Sequence, residues 1–566
     1  MSTPIPQSAE ALIHLSWTDI EPHIDELKQT TLSAQNVDAW LEHWSDVTRA
    51  VMETSQRLYV AVTVNTADQA AEKAYNAFFE ELYPLAMAAE NELKLKLLQS
   101  GLSPAGFEIS LRNMRSEADL FREENLPLVA EEQKLNTEHQ KITGAQTVEW
   151  EGKEVTVQQL KPAFQSVDRA QREKAWRLAA KRQLADRGAL NELWQKFLPL
   201  RRKMAENADM PDYRAYMWQN LKRFDYTPAD CRKFHDAIEQ VVVPASRRVY
   251  ERRRQRLGVD TLRPWDLDVD PSGLPPLRPF KDDAEFKAGV SSIFHQVDPV
   301  LGGYFDTMRN EGLLDLENRK NKAPGGYCTG YPMARRPFIF MNAVGIHDDV
   351  QTLLHEGGHS FHVFETAALR YAQQLDVPTE FAEVASMSME LLASPYLAAE
   401  KGGFYTTAEA KRARIEHLEG CILFWPYMAV VDAFQHWVYE NPEKAMKPSE
   451  CDAAWGREWR RFMSVVDWSG LDAEMVTGWQ RKLHIFQIPF YYVEYGLAQL
   501  GAALVWRNSL KDQAGAVASY RQALSLGGTA ALPKLFQAAG ARLAFDPATL
   551  GEAVSLMEAQ IAELEG

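Results

Sequence analysis

Apolar residues recur at three- and four-residue spacing through most of this chain, so its exceptions stand out. From Ala9 to about Asn136 the pattern is helical and rich in Ala, Leu, Glu and Lys. Residues 70–102 form the clearest long helix, which Pro84 is expected to kink or divide. Tyr75, Phe78, Phe79 and Tyr83 within it are expected in the core. At residues 141–158 the period changes. Thr147-Val148-Glu149-Trp150 and Glu154-Val155-Thr156-Val157 flank Glu151-Gly152-Lys153, which predicts a short β-hairpin. Helical spacing resumes over 159–257, with breaks near Pro211 and Pro228. Thr227 reads as a helix cap with Pro228 at the first helical position. Residues 260–282 carry Pro264, Pro271, Pro275, Pro276 and Pro279 and predict a loop. Helix returns over 286–314. Then Gly325-Gly326-Tyr327-Cys328-Thr329-Gly330 reads as loop and Pro337-Phe338-Ile339-Phe340-Met341-Asn342 as a short strand. From His347 to Gly566 the pattern is nearly all helix.

At 566 residues the chain exceeds one ordinary core. The expectation is a mainly α fold in two lobes: residues 1–200 as an N-terminal helical lobe bearing the hairpin, and 201–566 as a second domain. Hydrophobic residues at 46% and charged residues at 25% are globular values. A net charge of -16 argues against a nucleic-acid partner, which needs a basic field. The runs Arg201-Arg202-Lys203 and Arg252-Arg253-Arg254 sit in helical, acid-interspersed sequence and read as solvated faces. Cys231, Cys328, Cys421 and Cys451 include no C-x-x-C pair, so neither a disulfide framework nor a thiolate zinc site is expected. Met1 to Glu10 lacks a basic segment followed by an apolar core, and no apolar run approaches the ~20 residues of a spanning helix. A cytoplasmic location without membrane attachment is expected.

The chemistry concentrates in Leu353-Leu354-His355-Glu356-Gly357-Gly358-His359-Ser360-Phe361-His362. Positions i and i+4 share one helix face, so His355 and His359 can grip one metal ion together. Glu356 on the same helix can reach a water held by that metal as general base. This H-E-x-x-H reads as the zinc helix of a metallopeptidase. Catalytic zinc takes three protein ligands, so a third must come from elsewhere. His362 lies about 10 Å along the axis from His355 and is too far to join on a straight helix; a supporting or structural role is expected. Glu383 is the better candidate, on the next helix after the break at Val377-Pro378. Glu380 and Glu390 are rivals: Glu380 sits in a first turn that favours acidic residues, and Glu390 could orient a ligand or be solvated.

His355-Glu356-x-x-His359, with Glu383 in Glu-Val-Ala-Ser, resembles the thimet oligopeptidase/oligoendopeptidase F family of zinc metallopeptidases. His484-Ile485-Phe486-Gln487-Ile488-Pro489-Phe490-Tyr491-Tyr492-Val493-Glu494-Tyr495 resembles that family's His- and Tyr-rich segment, nearest the Pz-peptidase-like bacterial members. The likeness extends over roughly residues 231–543. It implies His355, His359 and Glu383 on one Zn2+ per chain, with Glu356 activating the water. It also implies a two-lobed helical zincin with a deep central channel, cleavage of oligopeptides internally, and a catalytic domain within 201–566. Gly357 departs from the larger residue common in the family. Two successive helix glycines cost on the order of 2 kcal/mol against alanines, and close approach by a strand or substrate is the expected compensation. Ile488-Pro489-Phe490 replaces the family's glycines, so which tyrosine acts stays open.

The expected activity is zinc-dependent hydrolysis of internal bonds in short unfolded peptides. His484, Tyr491 and Tyr495 are the candidate donors to the negative oxygen that hydrolysis develops. The strand Phe338–Met341 stands a few residues before the zinc helix, and its edge could hold a peptide by main-chain hydrogen bonds; an ordinary interior strand is the other reading. Gly326, Phe338, Phe340 and Tyr492 are the candidate substrate contacts. Two other functions stay open: a zinc carboxypeptidase of similar helical architecture, and a catalytically silent peptide-binding protein.

Overall fold

A computed structural model describes residues 4–319, 321–323 and 325–566, apart from the side chains of residues 130, 133, 137, 140, 141 and 158. In chain order, the elements that matter below are α1 (Val37–Val64), β1 (Thr147–Trp150), β2 (Lys153–Thr156), α2 (Pro228–Ala237) and α3 (Asp283–Val297). They continue with β3 (Leu314–Glu317), β4 (Tyr327–Tyr331), β5 (Arg336–Ala343), α4 (His347–Thr366), α5 (Thr379–Ala393), α6 (Thr407–Glu440) and α7 (Tyr492–Ser509). The fold is mainly helical, as the periodicity predicts.

Local chemistry sets most boundaries. β1 and β2 pair antiparallel across Glu151 and Gly152, whose φ values of 51° and 77° are those of a two-residue hairpin turn. β2 begins at Lys153, one residue earlier than the sequence pattern suggests. At the start of α2, Thr227 Oγ1 accepts the Asp230 N–H and the Asp230 carboxylate accepts the Thr227 N–H, while Pro228 takes the first helical position. The long helix expected over 70–102 is interrupted. Helical turns at Gln69–Ala77 widen into a π segment at Phe78–Leu82, and α-helix resumes at Tyr83–Ser100. Pro84 has no N–H to give and its ring crowds the preceding turn, so the widened segment lies where proline needs room. The aromatic residues there are not all core. Phe78 is buried, whereas Phe79 and Tyr83 are exposed. Tyr75, Phe79 and Tyr83, at i, i+4 and i+8, stack along the surface with ring centroids 4.8 and 5.0 Å apart.

Backbone contacts group the chain into two compact units, each made of three segments. One comprises Met1–Ala118, Leu277–Arg414 and Ala498–Leu543, the other Asp119–Pro276, Ile415–Leu497 and Ala544–Gly566. The division at residue 200 follows chain order, and these units do not.

In the first unit, β3, β4 and β5 form a sheet ordered β3-β5-β4, with β5 parallel to β3 and antiparallel to β4. β5 is therefore central. Its buried run from Pro337 to Met341 lacks alternation because both faces are covered. On one face lie α1 and the cluster of Val60, Tyr331, Phe338 and Phe340, with the Tyr327 hydroxyl 2.6 Å from Thr63 Oγ1. On the other lies α4, whose Val363 meets Gly330 and whose Thr352 meets Gly326. The stretch expected as loop, Gly325–Gly330, contributes most of β4. The β4–β5 turn is pinned by buried Glu53 of α1, which accepts the Met333 and Ala334 N–H groups at 2.7 and 2.9 Å.

The second unit has an aromatic core around Trp194, Trp479 and Phe486, with ring centroids 5.2 and 5.8 Å apart from Trp479. Elsewhere in this unit the hairpin packs through Val148, against Leu160 and Ala179. Among the described residues no helix is long and apolar enough to cross a membrane.

Candidate metal centre

α4 is started by one carboxylate. Asp349 Oδ2 accepts the N–H groups of Val344, Gly345 and Ile346 at 2.8 to 2.9 Å, which satisfies donors that a helix start leaves bare. The helix then buries Val350, Leu353, Leu354, Gly357, Gly358 and Phe361 and keeps His355 and His359 half-buried on another side. The paired glycines explain how it fits. A Cβ on Gly357 would stand 2.5 Å from the Phe294 ring of α3. One on Gly358 would stand 2.5 Å from both Ala385 O and Ser386 Cα of α5. The close approach expected there from a strand or substrate is made instead by two helices.

That contact with α5 brings Glu383 to the two histidines. Glu383 Oε2 lies 3.4 Å from His355 Nε2 and 3.8 Å from His359 Nε2, and one donor atom from each of the three lies within 4.8 Å of the others. Two donors bound to one zinc ion at 2.0–2.2 Å in tetrahedral geometry are about 3.4 Å apart. The spacing fits such an ion and is long for a hydrogen bond. His355 Nδ1 lies 2.7 Å from Glu390 Oε1, which fixes the ring and turns Nε2 toward Glu383. Of the rivals for third ligand, Glu390 is thus the orienting partner of His355, and Glu380 is outside the donor group. Ser386 Oγ lies 3.1 Å from Glu383 Oε2 and steadies the carboxylate. His362 is buried beside Phe381, 6.0 Å between centroids, and is also outside the donor group.

Charges follow burial and contact. Burial favours neutral His355, but the hydrogen bonds and negative charges of Glu383 and Glu390 outweigh it and hold its pKa well above the usual imidazole value. Burial lowers His359 to about 4 and His362 to about 3. Glu383 is lowered: burial opposes its charge, and His355 and His359 overcome that. Glu356 is buried and raised to about 7 by desolvation, although the nearby backbone N–H of Cys328 favours its charged form. The Cys328 thiol packs 3.3 Å from Ser360 Oγ, and burial pushes its pKa up, so it is no thiolate.

The other sequence candidates separate. Gly326 is exposed at the start of β4. Phe338 and Phe340 are buried, and the backbone of their strand is paired on both sides, so the expected peptide-holding edge on β5 is closed. The edges of this sheet are β3 and β4, and β4 is the one whose glycines pack on α4. In the second unit, His484 gathers with Tyr491, Tyr492 and Tyr495, ring centroids 5.0 to 6.0 Å from the imidazole. Tyr492 is buried and its hydroxyl accepts from Lys482 Nζ at 2.9 Å, so it packs rather than offering a substrate contact. Sequence reasoning missed the Asp349 cap, whose signal is an acid at the third position of α4. It also missed the Cys328 N–H beside Glu356, for which the sequence carries no local signal.

Comparison with known proteins gives the same direction. The sequence profile described as Peptidase family M3 matches residues 163–553, and one described as Peptidase M3 N-terminal domain matches residues 14–105. An oligoendopeptidase F homolog of Lactococcus lactis subsp. lactis (strain IL1403) is 27% identical over 161 residues, 28% of this chain and 26% of that protein. Another, of Mycoplasma pneumoniae (strain ATCC 29342 / M129 / Subtype 1), is 23% identical over 300 residues, 49% of this chain and 46% of that protein. The chain thus spans about a quarter to a half of the length of these curated relatives. A solved structure of Pz peptidase A with an inhibitor superposes with a TM-score of 0.87 at 26% identity, covering 99% of this chain and 98% of that one. With a profile match across well over half of its length, the chain belongs to peptidase family M3.

Proposed function

We propose that this protein is a zinc-dependent oligoendopeptidase that hydrolyses internal bonds of short, extended peptides. The observation that carries the reading is the convergence of His355, His359 and Glu383 beside buried Glu356, on a helix packed against a sheet with β4 at one edge. His355, His359 and Glu383 would hold the zinc. When bound, it supplies Lewis acidity that polarises the scissile carbonyl and acidifies water.

The remaining steps fall to the chain's own residues. Glu356 takes a proton from the attacking water and returns it to the leaving amine. Its burial favours both roles, since a carboxyl raised toward neutrality accepts and releases a proton readily near pH 7. The edge of β4 offers main-chain groups to an extended peptide beside the helix that carries Glu356. The chemistry of imidazole and phenol suits His484, Tyr491 and Tyr495 to donate to the oxyanion. A cytoplasmic setting, with peptides and not nucleic acid as partners, belongs to the same reading. So does the functional division into 1–200 and 201–566, the second part carrying every residue named in this mechanism.

Glu390 should matter through His355. Glu390→Ala is expected to weaken zinc affinity by about 10- to 100-fold, the range for losing a carboxylate behind a ligating imidazole. Competition with a chromogenic chelator measures it, and unchanged affinity would remove Glu390 from the site.

The deciding experiment is mass spectrometry of a mixed peptide digest incubated with the protein, with chelator, and with zinc restored. Internal cuts confined to shorter peptides, abolished by chelation and recovered with zinc, are expected. Stepwise loss of C-terminal residues would replace this reading with a carboxypeptidase, and intact peptides throughout with a binding protein.

A further inference from the structure

The second unit gathers another set of metal-type donors that the proposed peptidase site does not use. Cys231 and His235 stand four residues apart on α2, and Asp432 and His436 four apart on α6. Each pair therefore projects from one helix face. All four residues are buried, Cys231 and Asp432 completely. One donor atom each from Cys231, Asp432 and His436 lies within 4.8 Å of the other two. His436 Nε2 is 3.4 Å from Asp432 Oδ2, and His235 Nε2 is 2.8 Å from the same oxygen. Rings of Trp218, Phe462 and Phe490 enclose the cluster.

Its hydrogen bonding is incomplete. Asp432 Oδ1 and both ring nitrogens of His436 are buried without a hydrogen-bond partner, the 3.4 Å approach of Nε2 to Oδ2 being too long and poorly aimed for one. The large majority of buried polar side-chain atoms in native proteins have a partner, and three bare atoms on two touching residues are a concentration of exceptions. An aspartate shared between two histidines accounts for the bond from His235, but not for the bare Oδ1 or the bare imidazole. A cation held by His436 Nε2 and by both carboxylate oxygens accounts for Oδ1 and Nε2, leaving Nδ1 as the one atom of this set without a partner. The 3.4 Å separation is also about that of two donors on one zinc ion.

We propose that Cys231, Asp432 and His436 form a closed, structural site for a zinc-class divalent cation, with His235 holding the Asp432 carboxylate in place. Thiolate and imidazole select zinc-like ions over magnesium or calcium. The apolar enclosure makes the site structural rather than catalytic, with the Cys231 thiolate, the His436 imidazole and both Asp432 oxygens as the four donors that such a site takes. The histidine–carboxylate contact is the usual support behind a ligand. The cysteine spacing rules out a site made of thiolates alone. It does not rule out one thiolate meeting donors some two hundred residues away.

Cobalt reads this site separately from the first, because His355, His359 and Glu383 include no sulfur. Full-length protein produced with cobalt in place of zinc is expected to show thiolate-to-cobalt charge-transfer absorption in the near ultraviolet. The band should persist in the His355→Ala/His359→Ala double variant and vanish in Cys231→Ser. Metal analysis should find about one equivalent less in Cys231→Ser and in His436→Gln than in the unaltered protein. A folded, cobalt-loaded protein without the band overturns the proposal, as does metal content unchanged in both single variants. Should Cys231→Ser fail to fold, the spectra of the unaltered protein and the double variant decide alone. Because the double variant lacks the peptidase ligands, failure of the peptidase reading leaves this outcome untouched.

Discussion

Glu356→Gln loses about 10³-fold in kcat and keeps its zinc. Glutamine has the shape of glutamate and fills the same buried space, but it cannot carry a proton from water to the leaving amine. General base catalysis contributes about 10²- to 10⁴-fold, and a 10³-fold loss corresponds to roughly 4 kcal/mol of barrier. The ligands His355, His359 and Glu383 are untouched, so metal content and melting temperature should match the unaltered protein. Steady-state hydrolysis of a quenched fluorescent peptide, with metal analysis of the same sample, is the measurement. Turnover within tenfold of normal would remove Glu356 as the base.

Gly358→Ala tests the helix contact that brings the ligands together, and two effects give it opposite signs. Helix propensity alone predicts a gain of about 1 kcal/mol when glycine becomes alanine. The added methyl, however, would stand 2.5 Å from Ala385 O and Ser386 Cα, backbone atoms that cannot swing aside. Overpacking of that kind costs about 1–3 kcal/mol, so a net loss of up to about 2 kcal/mol is expected. As α5 is pushed away, Glu383 leaves His355 and His359, and zinc affinity should fall too. Gly303→Ala is the control. It lies within the helix Pro299–Asn310 with nothing within 4 Å of its added carbon, and should gain up to about 1 kcal/mol. Urea unfolding midpoints of both variants decide the matter. A stabilised Gly358→Ala with normal zinc affinity would show that α4 and α5 have room to spare.

These outcomes rest on features of unequal visibility in the sequence. His355 and His359 were legible because i and i+4 always share a helix face, and Glu383 was preferred as a carboxylate on the next helix, in agreement with the family resemblance. Glu390 could be read as ligand, orienter or solvated acid, since nothing local reveals that its oxygen lies 2.7 Å from His355 Nδ1. The unbroken apolar run Phe338–Met341 announces a strand. Pairing partners are chosen by distant segments, however, so the run could not reveal that β5 is central and β4 an edge. β4 was hidden by Gly325, Gly326 and Gly330, which read as loop although two of them serve the packing of α4 against the sheet. The cost of Gly357-Gly358 was plain from propensity; the helices α3 and α5 that offset it were not. The late aromatic segment looked like a single set of donors, and only three-dimensional packing separates Tyr492, tied to Lys482, from its neighbours.

The segmented build of the first unit has a consequence for the protein's birth. Its three pieces leave the ribosome far apart in time, and Gly501 and Tyr520, which pack on Val384 and Ala385 of α5, are among the last. At about 5–20 residues per second, synthesis of the chain takes roughly half a minute to two minutes. For nearly all of that interval the helix carrying Glu383 lacks its final supports. A nascent chain is itself an unfolded polypeptide of the sort a peptidase could cut. Order of synthesis alone thus postpones assembly of the proposed metal centre until residues beyond Tyr520 have been made.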